Sequence, residues 1–323
     1  MEHGQISPGL ARRIALLRER IEDAGIPPSQ LDESLNFATW NIRDFGKTPR
    51  SDDAIHLIAE ILYQFDLIAL TELRDDLTDL KRVLRILGPY WKVVFSDFGS
   101  DRAANRERMA FVYDKRMAVF TGLAAEATPP RARPEDGGDY RQLHTWWRSP
   151  YMASFQAGSF DFILLSAHMR WGSSKSERRE ALGHLGDWVK ERVGHDHVSD
   201  RDWIVAGDFN IPKLNDSLYR ALSQDFLKMP GQLSGVKYTN VAGALGPESR
   251  QHNYDQILHV PRVGERTLGK AGILDFASGG LMERLLPDVD PDRRTYELSD
   301  HLPLWVQIDT DLDDWRLDAV MSG

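Results

Sequence analysis

Short apolar runs alternate with amphipathic segments along most of this chain. Apolar runs of this length are typical of buried strands, and apolar residues that recur every three or four positions are typical of helices. The pattern predicts strands at residues 35–41, 66–72, 91–97, 109–114, 117–123, 151–156, 160–168, 203–210, 254–260 and 303–308. It predicts helices at 54–65, 77–87 and 174–193 and an exposed loop at 129–140, and it leaves 211–252 unassigned. The alternation of the two element types indicates an α/β protein.

The beginning of the chain has a different character. Its apolar residues recur at helical spacing, at Leu10, Ile14, Leu17 and Ile21. A glycine and two prolines then end the predicted helix. We interpret this segment as a surface helix that packs on the main domain, with partner binding or oligomerisation as the alternative. The predicted division is an N-terminal helical extension, a main domain and an acidic C-terminal tail, at residues 1–34, 35–309 and 310–323.

The absence of cysteine narrows the candidate chemistry. It excludes disulfides, thiolate zinc sites and a cysteine nucleophile. It also fits a reducing compartment, so a cytoplasmic location is predicted while secretion stays open. The net charge of −9 argues against a protein that coats nucleic acid non-specifically, although a metal-binding carboxylate cluster would also make a chain acidic. No apolar run approaches the roughly 20 residues of a membrane span, so no membrane insertion is predicted.

Polar residues with catalytic potential occur at the ends of the predicted strands. Some follow a strand directly, and others come just before one. They are Asn41, Glu72, His168, Asp208 with Asn210, Asp255, and Asp300 with His301. Any one of them is typical of a turn, but ligand sites in layered α/β proteins gather at the carboxyl ends of strands. The recurrence of carboxylates, amides and imidazoles therefore predicts a site.

These residue types fit one reaction. Glu72, Asp208 and Asp300 offer the hard oxygen ligands that suit Mg²⁺ or Mn²⁺, with Ca²⁺ as a further candidate. His168 and His301 would act as bases if a carboxylate oriented each of them. Carboxylates that hold a cation, beside imidazoles that activate water, indicate a hydrolase of phosphate esters.

The segments around these residues resemble the signature blocks of a known family. Residues 40–43, 70–75, 207–210 and 299–303 are similar in order and spacing to the blocks of the endonuclease/exonuclease/phosphatase superfamily. The DNase I branch is the closest, on the blocks at 41–46, 72–75, 106–108 and 148–150. The resemblance implies a four-layer α/β sandwich, with two mixed β-sheets packed face to face and helices outside. It also implies a metal-dependent phosphodiesterase, with a DNA endonuclease as the favoured activity.

The resemblance implies a role for each matching residue at the metal centre. Glu72 is implied as the principal metal ligand, with Asn41, Asp208 and Asp300 beside it. Asp208 and Asn210 are implied to hold the attacking water or a phosphate oxygen.

The resemblance also implies two histidine–carboxylate pairs. His301 is implied as the general base, oriented by Asp255. His168 is implied as its counterpart on the other side of the phosphate, paired with Glu107. The alternative for Glu107 is a solvated charge at the start of a strand.

Arginines near these blocks are predicted to contact DNA, namely Arg43, Arg74, Arg148 and Arg170. The resemblance implies that Arg74 enters the minor groove, whereas a surface ion pair with Asp75 or Asp76 is the alternative. The basic segment 169–179 would either follow a phosphate backbone or begin a solvated helix. DNA is thus the predicted partner, as substrate, and no stable protein partner is predicted.

Two other functions are alternatives to DNA cleavage. The same fold hosts phosphodiesterases and phosphatases that act on phospholipids or small phosphorylated metabolites. A catalytically inactive binding module is the other alternative, although every predicted metal and histidine position holds a competent residue.

Overall fold

A computed structural model describes residues 1–97, 106–172, 174–264 and 267–311, together with 317, 320 and 321. Its helices are α1 Pro8–Asp23, α2 Asp52–Leu62, α3 Thr78–Leu87, α4 Lys175–Gly194, α5 Ser217–Ser223, α6 Val241–Leu245, α7 Pro261–Gly264, α8 Leu281–Leu285 and α9 Arg294–Glu297. Its strands are β1 Ser34–Phe45, β2 Leu67–Leu73, β3 Trp91–Phe95, β4 Arg108–Asp114, β5 Val119–Glu126, β6 Arg131–Ala132, β7 Arg141–Gln142, β8 Tyr151–Ala157, β9 Phe160–His168, β10 Trp203–Asp208, β11 Asp255–His259, β12 Thr267–Ile273 and β13 Leu304–Asp309. The predicted tail at 310–323 falls mostly outside the described residues.

The strands form two large mixed sheets. The order in sheet I is β12-β13-β1-β2-β4-β3, and the order in sheet II is β11-β10-β9-β8-β5. Each sheet has one parallel pair, β1 with β2 and β10 with β9, and the other neighbouring strands in each sheet are antiparallel. Because the carboxyl ends of parallel strands lie at the same edge, each pair brings two strand ends to one side of its sheet.

Sheets I and II pack face to face, and helices cover their outer faces. Along β1, Leu35 and Phe37 belong to the core between the sheets, whereas Ala38 and Trp40 belong to the core that sheet I shares with α1, α2, α3 and α8. Such alternation with both faces buried is typical of a central strand in a layered protein. Helices α4 and α5 pack their buried residues against sheet II. The protein therefore has the predicted four-layer α/β architecture.

Helix α1 packs against α2 and α8 on the outer side of sheet I. Its four buried residues are the four apolar positions that recur at helical spacing in the sequence. Arg18 of α1 donates hydrogen bonds of 2.9 and 2.6 Å to the carboxylate of Glu60, which is buried in α2. Residues 1–34 thus contribute to the core beneath sheet I, and their separation from the main domain stays a prediction.

Several boundaries differ from the sequence prediction. Strand β5 begins after the predicted residues Met117 and Ala118, because both donate their amides to the carbonyl of Asp114 in a turn. The predicted loop at 129–140 contains β6, which pairs with β7. The edge strand β12 was not predicted, since its glycines and lysine interrupt the apolar pattern. Within the described residues, no helix has the length and apolar character needed to cross a membrane.

Candidate active site

The polar ends of the central strands meet at one edge of the two facing sheets. In sheet II, Asp208 at the end of β10 lies opposite His168 of β9 on one side and Asp255 of β11 on the other. In sheet I, Asn41 of β1 and Glu72 of β2 lie at the corresponding edge and are joined by a 3.0 Å hydrogen bond. The fold therefore brings together residues that are far apart in sequence.

The backbone at this edge adopts rarely populated conformations. Gly207 has a φ of +139°, and a Cβ there would lie 2.0 Å from the carbonyl oxygen of Ala167, so only glycine fits. Asp44, Glu72 and Asn210 are left-handed, with φ of +48°, +63° and +53°. Such conformations are unfavourable for residues other than glycine, and they cluster at functional sites.

Two histidine–carboxylate pairs lie at this edge. His301 Nδ1 lies 2.7 Å from Asp255 Oδ2, and His168 Nδ1 forms a short hydrogen bond with Glu107 Oε1. Each pair connects the two sheets, because His168 and Asp255 belong to sheet II, whereas Glu107 directly precedes β4 and His301 lies three residues before β13, both in sheet I. Glu107 is buried, so the alternative of a solvated charge is wrong.

Both imidazoles direct their second nitrogen towards one carboxylate. Asp208 Oδ2 lies 3.6 Å from His168 Nε2 and 3.7 Å from His301 Nε2. The same oxygen accepts a 3.0 Å hydrogen bond from Asn41 Nδ2, and Asp208 Oδ1 accepts one of 2.9 Å from the amide of Asn210. Asp208 therefore lies at the centre of the site.

Glu72 is held as an anion. Its Oε1 accepts the hydrogen bond from Asn41 and lies 4.0 Å from His168 Nε2, and its Oε2 accepts a 2.8 Å hydrogen bond from the amide of Asp44. Burial raises the pKa of Glu72, but His168, the Asp44 amide and Asn41 outweigh burial and lower that pKa to about 2. An ionised carboxylate that is partly open to solvent suits a divalent cation.

The carboxylates make both histidines more basic than usual. Burial lowers the pKa of His301, but Asp255 and Asp208 outweigh it, so that this pKa lies well above its ordinary value. Burial also lowers the pKa of His168, and Glu107 raises it to give a net increase. A histidine whose Nδ1–H donates to a carboxylate keeps Nε2 available for proton transfer.

The tightest cluster of metal-type ligands differs from the predicted metal set. Within the described part of the chain, ligand atoms within 4.8 Å of one another are offered by Asp208, Asp255 and His301. Asp255 and His301 already bind each other, so a cation between them would break that pair. Of the three, only Asp208 belongs to the predicted metal set.

The residues at the edge of sheet I fit a cation better. Asn41 Oδ1 is buried and has no hydrogen-bond partner among the described residues, so it is an acceptor that a cation would satisfy. Glu72 supplies the ionised carboxylate beside it. The predicted ligand Asp300 lies near Arg43 instead, with 3.6 Å between Oδ2 and Nη1.

Two of the predicted DNA-contacting arginines are largely buried. Arg74 Nε donates a 2.8 Å hydrogen bond to Asp44 Oδ1, and the side chain of Arg74 is 12% exposed. Arg148 Nε lies 2.7 Å from Glu107 Oε2, and the side chain of Arg148 is 11% exposed. Neither side chain projects freely into solvent, because each is held by a carboxylate of the site.

The other two predicted arginines stack on aromatic rings. Arg43 Cζ lies 3.7 Å from the ring centre of Tyr296, and Arg170 Cζ lies 3.7 Å from that of Trp147. Arg170 and Trp147 line a cleft of about 510 Å³ that also contains Glu72, His168, Asp208 and His301. The start of the basic segment 169–179 therefore faces the site.

Ser299 connects two parts of the site, although the sequence assigned it no role. Its hydroxyl donates a 2.6 Å hydrogen bond to the Asn41 carbonyl and accepts one of 3.0 Å from the His301 amide. The aromatic residues Trp147, Trp171 and Tyr254 were also missed. Ser299 lies within a recognisable Ser-Asp-His block, whereas nothing in the pattern of the chain places these rings at the site.

Carboxylates beside two oriented imidazoles, at the edge of a four-layer sandwich, define a hydrolase of phosphate esters. The chain belongs to the Endonuclease/Exonuclease/phosphatase family, whose sequence model matches residues 38–301. This match confirms the family that the signature blocks predict. Closeness to the DNase I branch stays a prediction. No curated protein matches the sequence.

Solved structures share the fold at low sequence identity. The catalytic domain of human nocturnin, with bound sulfate, is 15% identical with a TM-score of 0.56, covering 87% of this chain and 96% of that one. A mannosyl-6-phosphatase from Bacteroides thetaiotaomicron is 18% identical with a TM-score of 0.52, covering 85% and 99%. Truncated TDP2 from Caenorhabditis elegans is 15% identical with a TM-score of 0.52, covering 85% and 97%. These likenesses concern the fold alone.

Proposed function

We propose that this protein is a metal-dependent phosphodiesterase that cleaves DNA by attack of water on phosphorus. The observation that carries the proposal is the convergence of two oriented imidazoles on Asp208, beside the ionised carboxylate of Glu72. Hydrolysis of a phosphodiester needs one group to take a proton from water and others to stabilise charge on the phosphate oxygens. The cleft holds groups of both kinds.

We propose that Glu72 and Asn41 hold the cation, with Asp208 and Asp300 nearby. Carboxylate and amide oxygens, in a chain without cysteine, favour Mg²⁺ or Mn²⁺, and Ca²⁺ stays a further candidate. A bound cation supplies positive charge that offsets the charge of the phosphate and acts as a Lewis acid.

The two histidines take different roles in this proposal. His301 Nε2 accepts the proton of the attacking water, while Asp255 fixes the tautomer through Nδ1. His168, when protonated, donates from Nε2 to a phosphate oxygen, while Glu107 holds its Nδ1. Asp208 and Asn210 hold the attacking water or a phosphate oxygen.

Positive charge around the cleft supports DNA as the substrate. Arg148 and Arg170 line the cleft itself, and Arg178 lines an adjoining cavity. Guanidinium groups near a scissile phosphate offset the charge of a polyanion. A chain without cysteine suits a reducing compartment, so we also propose a cytoplasmic location.

We assign Arg74 a positioning role in place of the predicted minor-groove contact. Its guanidinium binds the carboxylate of Asp44, and the amide of Asp44 donates to Glu72. Arg74 would therefore act on any phosphodiester through the placement of Glu72, instead of selecting duplex DNA.

A phosphatase of small phosphorylated metabolites is the second candidate. The observation that favours it is a cavity of about 370 Å³ that opens beside His168, a volume in the range of small-molecule sites. The sugar phosphatase with the same fold is consistent with this alternative.

The test compares substrate classes under matched conditions. Purified protein is incubated with DNA, a generic phosphodiester, a hexose 6-phosphate and sphingomyelin, with Mg²⁺, Mn²⁺ or EDTA. We expect DNA cleavage that requires metal and that disappears in Glu72→Ala but not in Glu19→Ala, a change on the exposed face of α1. Turnover of the hexose phosphate without DNA cleavage would replace the proposal by the second candidate.

A further inference from the structure

Two tryptophans are exposed inside the cleft. Trp147 is 38% exposed and Trp171 is 51% exposed, and both line the cleft that contains Glu72, His168 and His301. Exposed large apolar side chains next to a catalytic group are typical of a surface that contacts a ligand.

An arginine guanidinium group lies over each of the two tryptophan rings. Arg170 Cζ lies 3.7 Å from the ring centre of Trp147, and Arg178 Cζ lies 4.3 Å from that of Trp171. Trp171 and Tyr254 pack with their rings nearly perpendicular, at 5.5 Å between ring centres. The result is a charged aromatic surface, whose arginines match a phosphate backbone and whose rings match flat bases.

This surface is tied to the chemical groups through the backbone. The amide of Met169 donates a 2.8 Å hydrogen bond to the Asp208 carbonyl, and Asn210 Nδ2 donates one of 2.7 Å to the Met169 carbonyl. Arg178 Nη1 donates to the Asn210 carbonyl at 3.2 Å. The segment that bears Trp171 is thus held in register with the catalytic loop at 208–210.

We propose that Trp147 and Trp171, with Arg170 and Arg178, form a stacking platform for unpaired nucleobases beside the scissile phosphate. The preferred substrate is then single-stranded DNA or a frayed end, since the faces of bases inside a duplex are already covered by their neighbours. The position of Arg74 also favours a single-stranded substrate. Arg74 was predicted to enter the groove of a duplex, but its side chain binds Asp44. This inference rests on the proposed nuclease function.

Cleavage of three matched oligonucleotides tests the platform. They are one single strand, the same strand as a duplex, and the same strand with abasic residues around one defined cleavage position. Trp147→Ala and Trp171→Ala should each lose roughly 5- to 100-fold in kcat/KM on the single strand, the scale of losing one stacked base. The loss should be several-fold smaller on the abasic strand and on the duplex. Trp147→Phe and Trp171→Phe should recover most of the activity, because phenylalanine keeps a ring face.

Tyr90→Ala is the matched control. Tyr90 is 47% exposed, and Arg116 Cζ lies 4.3 Å from its ring centre, as Arg178 does from that of Trp171. Tyr90 lies at the opposite end of sheet I, just before β3 and hydrogen-bonded to the residue after β4. Its substitution should leave all three cleavage rates within about two-fold of the wild type.

Binding without metal separates the platform from the chemistry. In EDTA, the fluorescence anisotropy of a labelled single strand should report binding that weakens in the two tryptophan-to-alanine variants and recovers in the phenylalanine variants. Such binding without any DNA cleavage in metal would support the platform and overturn the nuclease function. Equal losses on the single, abasic and duplex strands, or displacement of the strand by a hexose 6-phosphate with the same dependence on tryptophan, would overturn the platform.

Discussion

The two histidine–carboxylate pairs of the site differ in what surrounds the carboxylate. Glu107 binds His168 and also lies 2.7 Å from Arg148. Asp255 binds His301, and no arginine or lysine lies within ion-pair distance of it among the described residues. One imidazole therefore shares its carboxylate with a permanent cation, whereas the other does not.

This difference affects the pKa values of the two otherwise similar histidines. Burial lowers the pKa of both histidines. Glu107 raises the pKa of His168 while Arg148 lowers it, whereas the largest effects on the pKa of His301 besides burial come from carboxylates that raise it. His301 is accordingly the stronger base, and the comparison teaches that a second-neighbour charge can assign different roles to equal side chains.

The largest effect should follow from removing Glu72, the ionised carboxylate beside the two pairs. Glu72→Ala should lower kcat by roughly 10³-fold or more, because the ionised ligand for the cation is lost. Calorimetry should show that the variant no longer binds Mg²⁺ or Mn²⁺ tightly, while Glu19→Ala binds as the wild type does. Unchanged metal affinity in a folded Glu72→Ala variant would move the metal to the cluster of Asp208, Asp255 and His301.

The next largest effect concerns the stronger base. His301→Ala should lose roughly 10²–10⁴-fold in kcat, the usual contribution of general acid–base catalysis. Asp255→Asn should lose less, and the double variant should be little worse than His301→Ala, because residues that act as a unit are not additive. If the two losses multiply in full, the base is not this pair, and His168 becomes the better candidate.

The pH profile gives the same pair a second test. A protonated imidazole cannot accept a proton, so activity should fall as the pH drops through the pKa of His301. Asp255 raises that pKa. The acid limb of kcat against pH should therefore move to lower pH in Asp255→Asn, and a limb that moves to higher pH would contradict the assignment.

A smaller effect is expected from removing Arg148, the charge that distinguishes the two pairs. Arg148→Met removes the cation that lowers the pKa of His168, so this pKa should rise while that of His301 stays nearly unchanged. An NMR titration of the imidazoles in metal-free protein would measure it, with Arg141→Met, on the exposed strand β7, as the control. Equal shifts of His168 and His301 would mean that Arg148 does not distinguish the pairs.

The smallest effect on activity should come from a buried carboxylate that has no imidazole partner. Asp66 precedes β2 and accepts hydrogen bonds from the Asn36 amide and the Ser29 hydroxyl, and burial raises its pKa to about 6. The folded state then binds a proton that the unfolded state releases near pH 4, so this residue favours folding below pH 4 and loses that contribution as pH rises through 6. The free energy of unfolding should fall across this window by on the order of 3 kcal/mol more in the wild type than in Asp66→Asn. Urea unfolding at a series of pH values measures the difference, and parallel curves would refute it.

The layered architecture and most of the residues of the site could be predicted from the sequence. Strands that are buried on both faces, such as β1 and β2, are recognisable because burial on both sides favours apolar residues at most positions. The Gly-Asp-Phe-Asn block is recognisable because Gly207 is required where the chain passes close to Ala167. Strand β12 escaped prediction because an edge strand tolerates glycine and lysine.

What the sequence by itself determined is the identity of the reactive groups, because residue type sets which ligands and bases are available. What only the tertiary structure decided is their partners. Arg148 binds Glu107, Arg74 binds Asp44, and Trp147 lines the cleft. In a regular strand, alternate side chains lie on the same face, which would place Arg74 on the same side as Glu72. Glu72 leaves the extended conformation, with a φ of +63°, and this breaks the alternation. Contacts between the two sheets depend on how the sheets pack, and no local pattern in the chain encodes that.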